Sequence, residues 1–132
     1  MMTKPKVLIV DDDVAITQQL FWTLCDEFEV MTANGLSSAI RRATIYEPDI
    51  SILDLHLPPT LDAPDTGLRL LEYVKQQLPS SKVFVVTSGS SPELRRDCIR
   101  RGADGFLVKP IDVERLLETV RRTALTNRLA AA

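Results

Sequence analysis

A doubly wound α/β fold, with a five-stranded parallel sheet carrying helices on both faces, is the class this sequence predicts. Three observations carry the prediction. Short aliphatic runs recur along the chain, each is followed by a stretch with helical apolar spacing, and two of the runs end abruptly in acid. Strands covered on both faces read as continuous apolar runs, and strands that alternate with helices pair in parallel through right-handed crossovers. At 132 residues the chain suits one domain, and a chain of this size buries about two thirds of the surface it exposes when unfolded.

The elements follow in order. Lys6–Val10 is the first aliphatic run and leads into Asp11-Asp12-Asp13, which opens a loop into a helix. On that helix Ile16, Leu20 and Leu24 form one stripe with Phe21 beside it. Glu29–Ala33 is a second, shorter strand, and Asn34-Gly35 is a turn signal because both residues tolerate positive φ. Leu36, Ala39, Ile40 and Ala43 recur at helical spacing until Glu47-Pro48 ends the helix. A third run, Ile50–Asp54, stops at a carboxylate, and the loop 58–67 is too rich in proline, aspartate and glycine for regular structure. Leu68, Leu71, Val74 and Leu78 mark the next helix, and 82–86 forms a fourth strand ending at Thr87-Ser88-Gly89-Ser90. Ser91-Pro92-Glu93 has the cap and first-turn proline of a helix start, and Gly102 is placed to end that helix in a left-handed conformation. Gly105–Val108 is the last strand and stops at Lys109-Pro110. Asp112 caps a final helix with Val113, Leu116, Leu117 and Val120 on one face. Composition predicts a frayed tail or the start of a linker over 125–132, within a single domain spanning 1–132.

Five such strands in the flavodoxin-like order 2-1-3-4-5 set strands one and three side by side at the topological switch point. Ligands of open parallel sheets bind there, beyond the carboxyl ends of the strands. Asp11, Asp12 and Asp54 then converge. Three carboxylates at about 4–6 Å repel by about 1 kcal/mol per pair in water and by several times that when half-buried. A hard divalent cation compensates them: Mg2+, or alternatively Mn2+, takes one or two carboxylates and keeps positions for a phosphoryl oxygen. Lys109 adds a positive charge from the end of strand five, and Thr87 a hydroxyl from the end of strand four.

Composition narrows the alternatives. A net charge of -2 leaves no electrostatic footprint for nucleic acid. Cys25 and Cys98 lack metal or redox spacing, which predicts reduced thiols and a cytoplasmic setting. The start lacks an apolar signal core, and no run reaches the roughly 18 apolar residues of a membrane span. The acidic triplet repels the phosphate a flavin would bring to that loop, and no P-loop is present. An aspartate-nucleophile hydrolase would need a second acid where His56 stands. Read blandly, the triplet is a solvated helix start, Phe106 is core, and Arg95, Arg96, Arg100 and Arg101 are a solvated helix face or part of a partner or dimer surface.

Val10-Asp11-Asp12-Asp13, Pro48-Asp49 with Asp54-Leu55, Thr87-Ser88, Gly102-Ala103-Asp104-Gly105-Phe106 and Lys109-Pro110 stand together in one order. On these pieces the chain resembles the receiver domain of two-component response regulators over nearly its whole length. The resemblance implies that Asp54 takes a phosphoryl group from a phosphohistidine on a sensor histidine kinase or phosphotransfer protein. It implies that Asp12 holds Mg2+ directly and Asp11 through water, with Asp54 and the backbone carbonyl of His56 completing the set. It further assigns Thr87 and Lys109 to the phosphoryl oxygens, makes Phe106 the rotating aromatic of a switch, and implies a cis peptide before Pro110. The output is then a changed surface near the last helices, read by an output domain, a downstream protein or a phosphorylation-dependent homodimer. The alternative function is a phosphorylation-independent interaction domain. The loop 58–67 departs from the family by being several residues longer.

Overall fold

The computed structural model describes residues 3–59, 64–89 and 91–131. In chain order the elements are β1 (Lys6–Val10), α1 (Val14–Leu24), β2 (Glu29–Ala33), α2 (Leu36–Tyr46), β3 (Ile50–Asp54), α3 (Asp65–Gln77), β4 (Lys82–Thr87), α4 (Pro92–Arg100), β5 (Gly105–Val108) and α5 (Val113–Ala131). All five strands pair in parallel in the order β2-β1-β3-β4-β5, as the alternation of runs predicts.

The strands read as unbroken apolar runs because both of their faces are covered. Leu8, Val10, Leu53, Val83 and Val85 face Ala39 and Ala43 of α2, Leu71 and Val74 of α3, and Cys98 of α4. Their neighbours Val7, Ile9, Ile50, Ile52, Phe84 and Val86 face Leu20 and Leu24 of α1 and Leu116 and Val120 of α5. Each side chain of this size, fully buried, stabilises the fold by about 1.5–3 kcal/mol before entropy is counted.

Local chemistry sets the helix ends. Asp13 caps α1 by accepting from the Ala15 N–H (2.9 Å), and Ser91 caps α4 by accepting from the Leu94 N–H (3.1 Å), with Pro92 in the first turn. Asp112 accepts from the Arg115 N–H (3.2 Å) at the start of α5. Gly102 has φ +108°, the left-handed end expected after α4.

Four expectations are corrected. Neither Asn34 nor Gly35 takes positive φ: Gly35 is extended at φ −162° and caps α2. Asn34 works through its side chain instead, its Nδ2 donating to the Asp11 carbonyl (2.8 Å). The helix α3 begins at Asp65, inside the stretch expected to be irregular. Gly67, which reads as a loop residue, is there because α3 rests on the backbone of Leu55: its N–H donates to the Leu55 carbonyl (3.1 Å), and a Cβ would lie 2.3 Å from the Leu55 Cα. The strand β4 extends one residue further, through Thr87. Finally, α5 continues through 125–131, where a frayed tail was expected, because alanine and leucine are strong helix formers and the Thr126 hydroxyl bonds back to the Arg122 carbonyl (3.0 Å). The expectations for 60–63, Ser90 and Ala132 lie outside the described residues.

Two substitutions test this account. Gly67→Ala forces a methyl into the Leu55 backbone and should destabilise the protein by about 2 kcal/mol or more in urea unfolding. Glu47, the C-cap of α2, carries φ 48°, which costs a residue with a Cβ. Glu47→Gly should therefore stabilise by about 0.5–1 kcal/mol, the lower end reflecting the freer unfolded chain of glycine.

Candidate functional site

The site lies at the carboxyl ends of β1 and β3, which are adjacent with Val10 level with Leu53. One residue beyond each of these, Asp11 and Asp54 meet, both buried at 3% exposure, while Asp12 is exposed beside them. Carboxylate oxygens of Asp11, Asp12 and Asp54 all lie within 4.8 Å of one another, so the three acids singled out in the sequence are brought together. Backbone amides orient the two buried ones. The Asp13 N–H donates to Asp11 Oδ1 (2.9 Å) and the His56 N–H donates to Asp54 Oδ1 (3.0 Å).

Lys109 reaches the cluster from the end of β5, where its N–H donates to the Thr87 carbonyl (2.9 Å) and its bond to Pro110 is cis. Its Nζ lies 3.0 Å from Asp11 Oδ2 and 3.1 Å from Asp54 Oδ2, bridging them. A second cis bond joins Pro58 to Pro59, just after the site, and nothing in the residue pattern signalled it.

Burial pushes the Asp11 carboxyl above its ordinary pKa. The Asp13 amide and Lys109 pull it down, the Asp54 charge adds to the rise, and the net direction is up. Lys109 is shifted up as well: burial alone would lower it, but its bonds to Asp11 and Asp54 outweigh that penalty. One ammonium thus faces three acids, and negative charge is left over. The donors are hard oxygens with an exposed carboxylate at the rim, a set that fits Mg2+ or Mn2+ and leaves positions for water or phosphate. The backbone of His56 lies beside Asp54 through its N–H bond, and its side chain is half-buried.

Thr87 is fully buried, and its Oγ1 donates to the Gly89 carbonyl (2.8 Å). Ser88 is exposed. Phe106 is partly buried on β5, level with Val85, and its ring lies under the Arg95 guanidinium at 5.2 Å from the carbon to the ring centre. Sequence reasoning missed Asn34, whose amide holds the Asp11 carbonyl and lies 3.4 Å from the Thr17 hydroxyl. Its position directly after β2, the neighbour of β1, was the available signal.

Comparisons with known proteins identify the family and the fold. The family model described as response regulator receiver domain matches residues 7–121. The chain is 34% identical to the response regulator protein PilR of Pseudomonas aeruginosa over 96% of its length and 27% of that protein's. It is 33% identical to the chemotaxis protein CheY of Listeria monocytogenes over 90% of this chain and 98% of that one. A response regulator receiver domain protein (CheY-like) from Methanospirillum hungatei superposes with a TM-score of 0.88 at 26% identity, covering 97% of this chain and 99% of that one. The chain spans from 27% to 60% of the length of the transcriptional regulators among its curated relatives. Among the described residues no helix is long and apolar enough to cross a membrane.

The Asp11 shift carries a test. Because folding raises this pKa, the ionised form opposes folding; the stabilising contribution of the protonated carboxyl is fully present below the unfolded value of 3.8 and is lost as pH rises through the folded value. Without divalent metal, Asp11→Asn should therefore show a higher urea midpoint than wild type at pH 7. The gap should close as pH falls through the carboxylate range, and added Mg2+ should stabilise wild type more than the variant.

Proposed function

The chain belongs to the response regulator receiver domain family, and on that footing we propose that it is a phosphoacceptor signalling module in which Asp54 receives a phosphoryl group from a phosphohistidine. The donor is a sensor histidine kinase or a phosphotransfer protein, met in the cytoplasm. The observation that carries this reading is the Lys109 ammonium at 3.0 and 3.1 Å from two buried carboxylates, with a third acid at the rim.

Phosphoryl transfer asks little of a protein beyond alignment and charge neutralisation. An Asp54 carboxylate oxygen attacks phosphorus while the bond from phosphorus to the donor imidazole nitrogen breaks, leaving an acyl phosphate and a free imidazole. Asp11, Asp12, Asp54 and the His56 carbonyl would hold Mg2+, which supplies positive charge to the phosphoryl oxygens in the transition state. The His56 amide keeps Asp54 Oδ1 oriented, so the acid presents a fixed geometry to the incoming phosphorus. Lys109 exchanges its contact with Asp54 Oδ2 for a phosphoryl oxygen, and the Thr87 hydroxyl exchanges the Gly89 carbonyl for another.

Phosphorylation replaces the single charge of the Asp54 carboxylate with an acyl phosphate of about −1.5 to −2 and adds new acceptors, so a displacement of Thr87 opens room for Phe106 and shifts a pre-existing equilibrium around α4, β5 and α5. That surface is the output, read by an output domain, a downstream protein or a second copy of the chain. Nucleic acid is not a partner of this segment, whose net charge is -2. Chemically the chain is a module that assists its own phosphorylation and dephosphorylation, and turnover of a separate substrate is no part of the reading.

Incubation with Mg2+ and phosphoramidate, followed by intact mass, tests the acceptor. Wild type should gain the mass of one phosphoryl group, Asp54→Asn none, and chelation of the metal should abolish the gain. An adduct of equal yield on both proteins refutes the assignment.

A further inference from the structure

The arginines of α4 and its cap are not equivalent. Arg96 lies 4.0 Å from Glu93, Arg100 lies 3.7 Å from Asp97, and Arg101 pairs with Asp97 at 2.9 Å and with Glu72 of α3. Arg95 has no carboxylate partner among the described residues. Its guanidinium lies instead over the ring of Phe106, at cation–π distance. The field of α4 does not explain a cation there. Arg95 is three residues after the first-turn Pro92, near the end of the helix where partial positive charge favours anions. What holds the side chain is the ring.

The same two residues line a groove of about 230 Å³ between α4 and α5, together with Val108, Pro110, Ile111 and Arg115. Phe106 is partly buried, packed against the core on one side and lining the groove on the other, and Thr87, whose movement is to make room for that ring, is turned to the Gly89 carbonyl. The contact between Arg95 and Phe106 therefore belongs to the arrangement in which Thr87 is away from Asp54. A ring that swings inward leaves the guanidinium behind and loses the attraction.

We propose that Arg95 is a latch on the aromatic switch, a positioning residue whose guanidinium holds the Phe106 ring at the surface and so sets the threshold that phosphorylation of Asp54 must overcome. This rests on the switch reading given above and adds its regulator. A contact with differential affinity for one of two states shifts their ratio by that difference, and an exposed cation–π pair is worth about a two- to fivefold change. Arg95 acts through Phe106 and touches no reacting atom.

The test uses the full chain with Mg2+ and beryllofluoride as the phosphoryl stand-in, read by its half-saturating concentration and by the resonances of 13C-labelled phenylalanine rings. Arg95→Ala should lower half-saturation about two- to fivefold and shift the Phe106 ring signals of the unloaded protein toward their loaded positions. Arg95→Lys should fall between, since an ammonium keeps part of the attraction. In a Phe106→Leu background, Arg95→Ala should change nothing. If wild type and Arg95→Ala saturate alike while the ring signals move on loading, or if the gain persists without the ring, the latch is wrong and the switch survives. If the ring signals of wild type do not respond although Asp54 is loaded, the switch reading fails and takes the latch with it.

Discussion

One ammonium set between two buried carboxylates is the constraint around which the rest of this molecule is arranged. The Lys109 charge lies within 3.1 Å of both Asp11 and Asp54, acids delivered by strands that the fold forces to be neighbours. Two buried acids at such separation repel strongly, and a single cation leaves the cluster short of positive charge. The sheet supplies the force that keeps them together: β1 and β3 are paired along their length and buried on both faces, so the chain cannot relieve the repulsion by splaying its strand ends. Stability built in the core is thus used to hold a site that, left to itself, would come apart.

Support for the constraint comes from loops rather than from the acids. Amides of Asp13 and His56 fix one oxygen of each buried carboxylate, leaving the other to Lys109. Asn34, from the far side of β1, fastens the carbonyl of Asp11. The result is a braced cluster with an open rim at Asp12, and on the neighbouring strands a hydroxyl bonded to the backbone of Gly89 and an aromatic ring between the core and Arg95.

Much of this was legible in the residues. Runs such as 7–10 and 50–53 read as doubly covered strands because both faces meet helices, and the acids that close them mark where three carboxylates gather. Caps at Ser91 and Asp112 follow from side chains that compete for free amides, a short-range chemistry that sequence records well. Positions whose reason lies far along the chain were misread. Gly67 looks like a loop glycine, since nothing near it in sequence reveals the Leu55 backbone against which it sits. Asn34-Gly35 reads as a turn with positive φ because the asparagine's true partner, the Asp11 carbonyl, lies just past the end of another strand. Residues 125–131 look like a tail because short side chains suggest looseness, although alanine is the best helix former. The pairing of Arg95 with Phe106 links two elements and has no local signature at all.

The seat of Gly67 on Leu55 also bears on how such a chain can vary. Leu57 is buried on one side of the proline-rich connection and Gly67 is clamped on the other, so the two ends of that connection are moored independently of what joins them. Lengthening a surface connection between fixed posts carries only a slowly growing entropic penalty. Extra residues can therefore accumulate between these two posts without disturbing the spacing of the acids, which is set by β1 and β3.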